Sequence, residues 1–338
     1  MTAPERLDQF MGRAAAAYYA ARDPFGAAGD FTTAPEISQA FGEVLGLWAG
    51  IVWQQMGAPR DCLLVELGPG RGTLMADALR ALAAMLPAAR AAFSVRLVET
   101  SPALRAAQAA RLGHAVAGWH ESAADLPPGP AILLANEFFD ALPIRQFIRR
   151  GDGWAERFVA DGRFVEQPAA AAQSLPEAAP EGAVQEVAEA AMAVVAALGQ
   201  RLAAQGGALL VLDYGPGEAG FGDSLQALSG HAPADPLGPP GSADLTAHVP
   251  FAQLAAAGHA AGAALHGPLP MGLFLQRLGL GQRAAILASS AHSAGRAGLA
   301  ASIQAGAERL LLPEGMGRLF KALCLCHPRQ PPPPGFEP

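Results

Sequence analysis

The sequence predicts an α/β fold: a mostly parallel sheet wrapped by helices, preceded by a helical extension and interrupted by a β-hairpin insertion. Short apolar runs of strand length alternate with alanine-rich stretches of helical period, the pattern of parallel strands joined by crossover helices. A glycine-rich turn, Gly68 to Gly72, joins the first such run to the helix that follows it. Between the fourth and fifth runs the period switches to two, and Gly151-Asp152-Gly153 and Asp161-Gly162 supply hairpin turns.

Taken in order, residues 4–22 and 36–57 carry helical periodicity, and the stretch RDPFGAAGDFTTAPEIS between them is a loop punctuated by Pro24, Gly26, Gly29 and Pro35. Strands are expected at 62–67, 94–99, 115–119, 130–135 and 207–213, with helices at 73–86, 102–112 and 183–205. The insertion occupies about 148–182, and its last part, 168–182, is a Pro/Ala/Glu-rich surface linker expected to be mobile. After residue 215 a Gly/Pro-rich loop leads to a helical segment at about 250–312 and a last strand at 319–326. The division expected is a helical extension over 1–58, an α/β domain over 59–326 and a disordered tail over 327–338.

Composition narrows the function. Half of the 338 residues are apolar (51%) and 16% are charged, which is a globular balance. A formal charge of −7 and a single lysine, Lys321, give no basic footprint for nucleic acid across the chain. Cys62, Cys324 and Cys326 each sit in an apolar run and cannot build a disulfide framework, so buried reduced thiols are expected. No metal-ligand spacing surrounds them. No apolar run reaches the roughly 18 residues of a membrane span. Glu5 and Asp8 near the start, without an apolar stretch, fit neither a secretory signal nor a transit peptide, and a bacterial cytoplasmic protein is expected.

The segment LLVELGPGRGTL, residues 63–74, poses the central question. A strand, a glycine turn and a helix place free backbone N–H groups at the carboxyl edge of a parallel sheet, where ligands of open α/β folds bind. A Walker A loop needs a lysine that is absent here. A dinucleotide fingerprint has its third glycine one position later than Gly72. What remains resembles the first motif of class I, Rossmann-like S-adenosylmethionine-dependent methyltransferases, with Glu66 two positions before the Gly68-x-Gly70-x-Gly72 turn and Thr73 closing it. Glu99 ends the next strand, where a carboxylate can accept both hydroxyls of a ribose. An ordinary tight βα connection and a solvated strand end are the plain alternatives for these residues.

Longer strings are more specific. GDFTTAPEISQAFGEVLGLW (29–48), ANEFFDALPIRQF (135–147), LDYG (212–215), DPLGPPGSADLTAHVPF (235–251) and MGRLFKALC (316–324), together with the glycine turn, resemble the MidA family. Pro250 and Met271 depart from the family pattern, which has an acid at the first position and a Gln-Gly pair at Met271-Gly272. The resemblance implies S-adenosylmethionine as cofactor and an arginine nitrogen of a partner protein, a respiratory complex I subunit, as acceptor. It also implies that the loop carrying Thr32 and Thr33 is a lid over the cofactor.

The strand expected at 130–135 delivers Asn136, Glu137 and Asp140 to the same sheet edge, with Phe138 and Phe139 between them. Guanidinium has five donors and stays protonated in water, so an enzyme acting on arginine needs carboxylates that clamp it, and Glu137 and Asp140 suit that task; strand-end acids capping the next helix or a turn are the plain alternative. Asn136 is expected to bind the cofactor. Asp213, Tyr214 and His248 are weaker candidates, explained equally by turn chemistry or a structural histidine. Three rivals stay open: a nucleotide-binding dehydrogenase, a small-molecule methyltransferase, and a non-catalytic assembly factor that keeps the cofactor site.

Overall fold

The computed structural model describes residues 3–21, 33–170 and 175–337. Its centre is a seven-stranded sheet whose strands are β1 (Cys62–Leu67), β2 (Phe93–Val98), β3 (Val116–His120), β4 (Ala131–Asn136), β5 (Gly207–Tyr214), β6 (Ala264–Pro270) and β7 (Phe320–Cys326). Their order across the sheet is β6-β7-β5-β4-β1-β2-β3. Strands β1 to β5 pair in parallel, and β7 runs antiparallel to both β5 and β6. The chain winds outward from β1 to β3 and then returns to β4 on the other side. The switch point between β1 and β4 is therefore where a crevice opens at the carboxyl edge.

Both faces of the sheet are covered, so β1 is buried along its whole length. Its alternate residues divide between two cores: Leu64 joins Phe41, Trp48 and Leu82 on one face, and Val65 and Leu67 join Phe10, Leu198 and Phe251 on the other. On the first face, helix Gln39–Gln55 crosses helix Thr73–Met85 closely. A Cβ on Gly46 would stand 2.5 Å from the Ala78 Cα, so the crossing requires glycine. Glu43, buried in that helix, binds Arg80 at 3.1 Å and Arg283 at 2.5 Å, tying the C-terminal helices to this face. Cys62, Cys324 and Cys326 are buried free thiols within the sheet. Among the described residues no helix is long and apolar enough to cross a membrane.

The insertion is larger than the hairpin expected. Strands Arg145–Arg150, Gly153–Ala160 and Arg163–Pro168 form a meander; Val184–Val187 pairs with Arg145–Arg150, and Glu5–Arg6 pairs with the end of Gly153–Ala160, giving a five-stranded sheet. Pairing with Arg145–Arg150 thus takes the first residues of the helix expected at 183–205, which begins at Glu189. The helix expected at 36–57 is likewise broken at Ser38, whose backbone is extended. Residues 175–182 of the linker are not free: Leu175 packs on Phe147 and Trp154, and the Trp154 indole donates to the Pro176 carbonyl at 3.1 Å.

The tail is a second correction. Residues 328–337 are docked rather than disordered, because Phe336 is buried against Phe274 (ring centroids 5.0 Å apart) and the Trp48 indole donates to the Pro334 carbonyl at 3.1 Å. Arg277 adds bonds to the Gly335 and Glu337 carbonyls. One aromatic side chain and four consecutive prolines, whose backbone is stiff before docking, give this short segment enough to hold on.

Candidate active site

The glycine turn leaves β1 at the switch point. Gly68, Gly70 and Gly72 all have positive φ (60°, 52° and 76°), a conformation that strains any residue with a Cβ. A Cβ on Gly68 would also lie 3.0 Å from the Phe138 ring, so the turn and the end of β4 close on each other here. Glu66, one residue before β1 ends, is 3% exposed, and its Oε2 is buried with no partner. Burial pushes its carboxyl up to about 8. Thr73 opens the following helix and its hydroxyl donates to Glu36.

Glu99 follows β2 and is held from two sides. Its Oε1 accepts the Ser101 N–H at 2.8 Å and its Oε2 the Gln108 side chain at 3.3 Å, while burial raises its pKa. Gln108 is fully buried and also donates to the Gly70 carbonyl at 2.7 Å and accepts from the Trp119 indole at 2.8 Å. One amide thus fixes the glycine turn, the acid and the end of β3 together. Sequence reasoning missed Gln108. The signal available was an amide four residues after Leu104, on the buried face of helix Pro102–Leu112.

Beyond β4 the chain turns sharply. Glu137 has φ +50°, and its Oε1 accepts the Ala34 N–H at 3.1 Å and the Asn136 side-chain amide at 3.2 Å. The Asn136 Oδ1 is buried with no partner. Burial, and then the nearby Asp140, push the Glu137 carboxyl up to about 7. Asp140 is 7% exposed and pushed up to about 6 by burial, against which the Tyr214 hydroxyl acts. Behind both, Asp213 is fully buried and raised well above the carboxylate range by burial and by Asp140. Phe139 belongs to the core, and Phe138 stands edge-on to it at 5.1 Å. His248 packs edge-on to Tyr214 at 5.6 Å, in line with a structural role.

These residues border two adjoining cavities. The larger, about 970 Å³, is lined by Gly68, Gly70, Glu99, Ser122, Glu137 and Phe138 among others, and reaches between helices Leu7–Ala21 and Glu189–Gln205. The smaller, about 40 Å³, is lined by Thr33, Glu66, Gly68, Thr73, Asn136 and Glu137. Glu137 lines both, whereas Asp140 lines neither and sits behind the cavity wall. Thr32 lies outside the described residues. Ser122, beyond β3, is a lining residue that sequence reading did not single out.

Glu99 and Glu137 therefore border a cavity large enough for a small-molecule cofactor, and Glu66 borders the small space that adjoins it. The donor set fits S-adenosylmethionine. An unpartnered buried carboxylate oxygen on Glu66 and amide oxygen on Asn136 suit a ligand bearing cationic and N–H groups, and Glu99 suits a ribose diol. Among the described residues no group of three His, Cys, Asp or Glu side chains is placed to hold a metal ion.

Known proteins are similar over most of the chain. The sequence model of a family described as S-adenosyl-L-methionine-dependent methyltransferase matches residues 44–269. The Danio rerio protein named protein arginine methyltransferase NDUFAF7, mitochondrial, is 37% identical over 335 residues, covering 90% of this chain and 78% of that protein. Its Homo sapiens namesake is 34% identical over 356 residues, covering 96% and 80%. A Burkholderia thailandensis protein crystallised with S-adenosyl-homocysteine superposes with a TM-score of 0.81 at 26% identity, covering 99% of this chain and 89% of that one. A native structure of a protein from the same organism gives 0.78 at 28%, covering 99% and 88%.

Proposed function

The chain belongs to the MidA family of S-adenosyl-L-methionine-dependent methyltransferases, and from that premise we propose that it methylates a side-chain nitrogen of arginine in a partner protein. One observation carries the acceptor half of this reading: Glu137 lines both cavities, held at positive φ at the carboxyl end of β4. The names of the curated relatives support the same acceptor. The partner class implied by the family resemblance is a respiratory complex I subunit, met in the bacterial cytoplasm.

The cofactor supplies a methyl group on a positively charged sulfur. Glu66, the glycine turn, Thr73, Glu99 and Asn136 would hold it, with Thr33 at the rim. The arginine nitrogen becomes a nucleophile only as it sheds a proton, because guanidinium stays protonated in water. A carboxyl held at about 7 is poised between its two forms at neutral pH. Ionised, Glu137 accepts guanidinium N–H bonds and aligns the nitrogen. On methyl transfer to that nitrogen, Glu137 would take the proton that the nitrogen loses. Asp140 acts from behind, keeping the Glu137 proton affinity high by its charge. Alignment and preorganised charge supply most of the acceleration.

Mass spectrometry of the host proteome with and without this protein tests the reading. A methylarginine lost on deletion and restored by the wild-type chain supports it. An unchanged methylarginine profile, with S-adenosyl-homocysteine still bound by the purified protein, overturns it in favour of a non-catalytic assembly factor.

A further inference from the structure

The turn that presents Glu137 has no regular partner for its backbone. The Glu137 N–H donates to the Leu212 carbonyl of β5 at 2.9 Å, and the next three N–H groups then leave the sheet. All three converge on one atom: the Asp213 Oδ2 accepts from Phe138 at 3.1 Å, Phe139 at 2.9 Å and Asp140 at 3.3 Å. Successive backbone N–H groups curled round a single oxygen form an anion-binding concavity, and here the chain fills it with its own side chain. The second oxygen, Oδ1, accepts the Tyr214 N–H at 2.9 Å. Asp213 is fully buried and lines neither cavity, so it cannot touch cofactor or acceptor.

We propose that Asp213 is a positioning residue for methyl transfer, pinning the 138–140 turn so that Glu137 keeps its strained backbone and points into the cavity. The inference rests on the reading of Glu137 as the acid that receives the acceptor. Register makes the arrangement natural. Leu212 stands beside Asn136 in the β4–β5 ladder, so the next residue on β5 faces the chain as it turns away from β4. Without an acceptor at position 213, three amides lose their anchor, and the positive φ of Glu137 is left with only the Leu212 carbonyl bond and its side-chain contacts to hold it.

The test is a double-mutant cycle on Glu137 and Asp213. Labelled-methyl transfer to a lysate from cells lacking the protein is measured for wild type, Asp213→Ala, Glu137→Gln and the double variant. Each rate is expressed per site that binds S-adenosyl-homocysteine by calorimetry, which removes any loss due to unfolded material. Asp213→Ala should keep cofactor affinity within a few-fold and lose ~10²-fold in rate per site, the scale of a misplaced reacting group. In the Glu137→Gln background the same change should add little. Asp213→Asn keeps an oxygen for the three amides while setting its NH2 against the Tyr214 N–H. It should fold and lose roughly tenfold, the scale of one lost buried hydrogen bond.

A rate per site that is unchanged in Asp213→Asn, and in Asp213→Ala where that variant folds, overturns the proposal. So does a loss that multiplies fully with that of Glu137→Gln. If Glu137→Gln alone transfers methyl at the wild-type rate, the reading of Glu137 fails and this proposal falls with it.

Discussion

The Gln108 side-chain amide donates to the Gly70 carbonyl at 2.7 Å. The same nitrogen reaches Glu99 at 3.3 Å, so a single buried residue sets the distance between the glycine turn and the acid of β2. Replacing Gln108 by Leu fills a similar space but leaves the Gly70 carbonyl and the Trp119 N–H unpaired, a cost of about 1–3 kcal/mol for each buried group. Thermal unfolding should show the loss, and calorimetry should show weaker S-adenosyl-homocysteine binding. Unchanged binding in the folded variant would show that the turn needs no such brace.

Glu99→Ala should weaken cofactor binding by at least about tenfold, since a charge-assisted hydrogen bond is worth about 1.5–3 kcal/mol. Glu99→Gln retains an acceptor for the Ser101 N–H and should fall between the two. Equal calorimetric affinities for wild type and Glu99→Ala would remove the ribose assignment.

The buried acids make stability depend on pH. The Glu66 carboxyl is raised from 4.5 to about 8, so between those values the native state binds more protons than the unfolded chain. Stability contributed by this group is then full below about 4.5 and is lost as pH rises through about 8. Glu137, raised to about 7, acts in the same sense. Without cofactor, Glu66→Gln should gain in unfolding temperature relative to wild type as pH goes from about 5 to about 8, because the neutral amide has no charge to bury. Parallel curves for the two proteins would contradict the burial of an ionisable Glu66.

Phe336→Ala tests the docked tail. A buried Phe lost to Ala costs about 3–5 kcal/mol in a rigid core, and the lower end applies where a terminal segment can let go. Urea unfolding should show a lower midpoint at unchanged slope. A midpoint equal to that of wild type would mean that the tail contributes nothing to the fold.

The sequence disclosed the sheet well where strands are fully buried. Cys62–Leu67 and Pro102–Leu112 lie where periodicity places them, and β2 to β5 lie within a residue of their expected limits. It failed where pairing across the fold overrides local preference. Val184–Val187 extends an alanine-rich helix in sequence yet pairs with Arg145–Arg150, and Ala264–Pro270, half-buried and interrupted by Gly267 and Pro268, carries no strand signal. The site was legible in part for a similar reason. Glu66, Glu99 and Glu137 stand at strand ends, where topology alone brings them to one edge. Gln108 and Asp213 act through backbone groups that only the folded turn exposes, and Asp140, a few residues from Glu137, is turned behind the wall by a φ that sequence does not announce.

Glu137→Gln is the most direct test of the account. Its amide oxygen can still accept the Ala34 N–H that Glu137 now accepts at 3.1 Å, so the fold of the rim should survive while the charge and the proton acceptor are removed. S-adenosyl-homocysteine affinity and labelled-methyl transfer to a lysate from cells lacking the protein are measured on one preparation. The account predicts near wild-type affinity with transfer reduced by ~10²- to 10³-fold, the scale set by removing one preorganised charge from a transition state. Equal transfer by wild type and Glu137→Gln would contradict it.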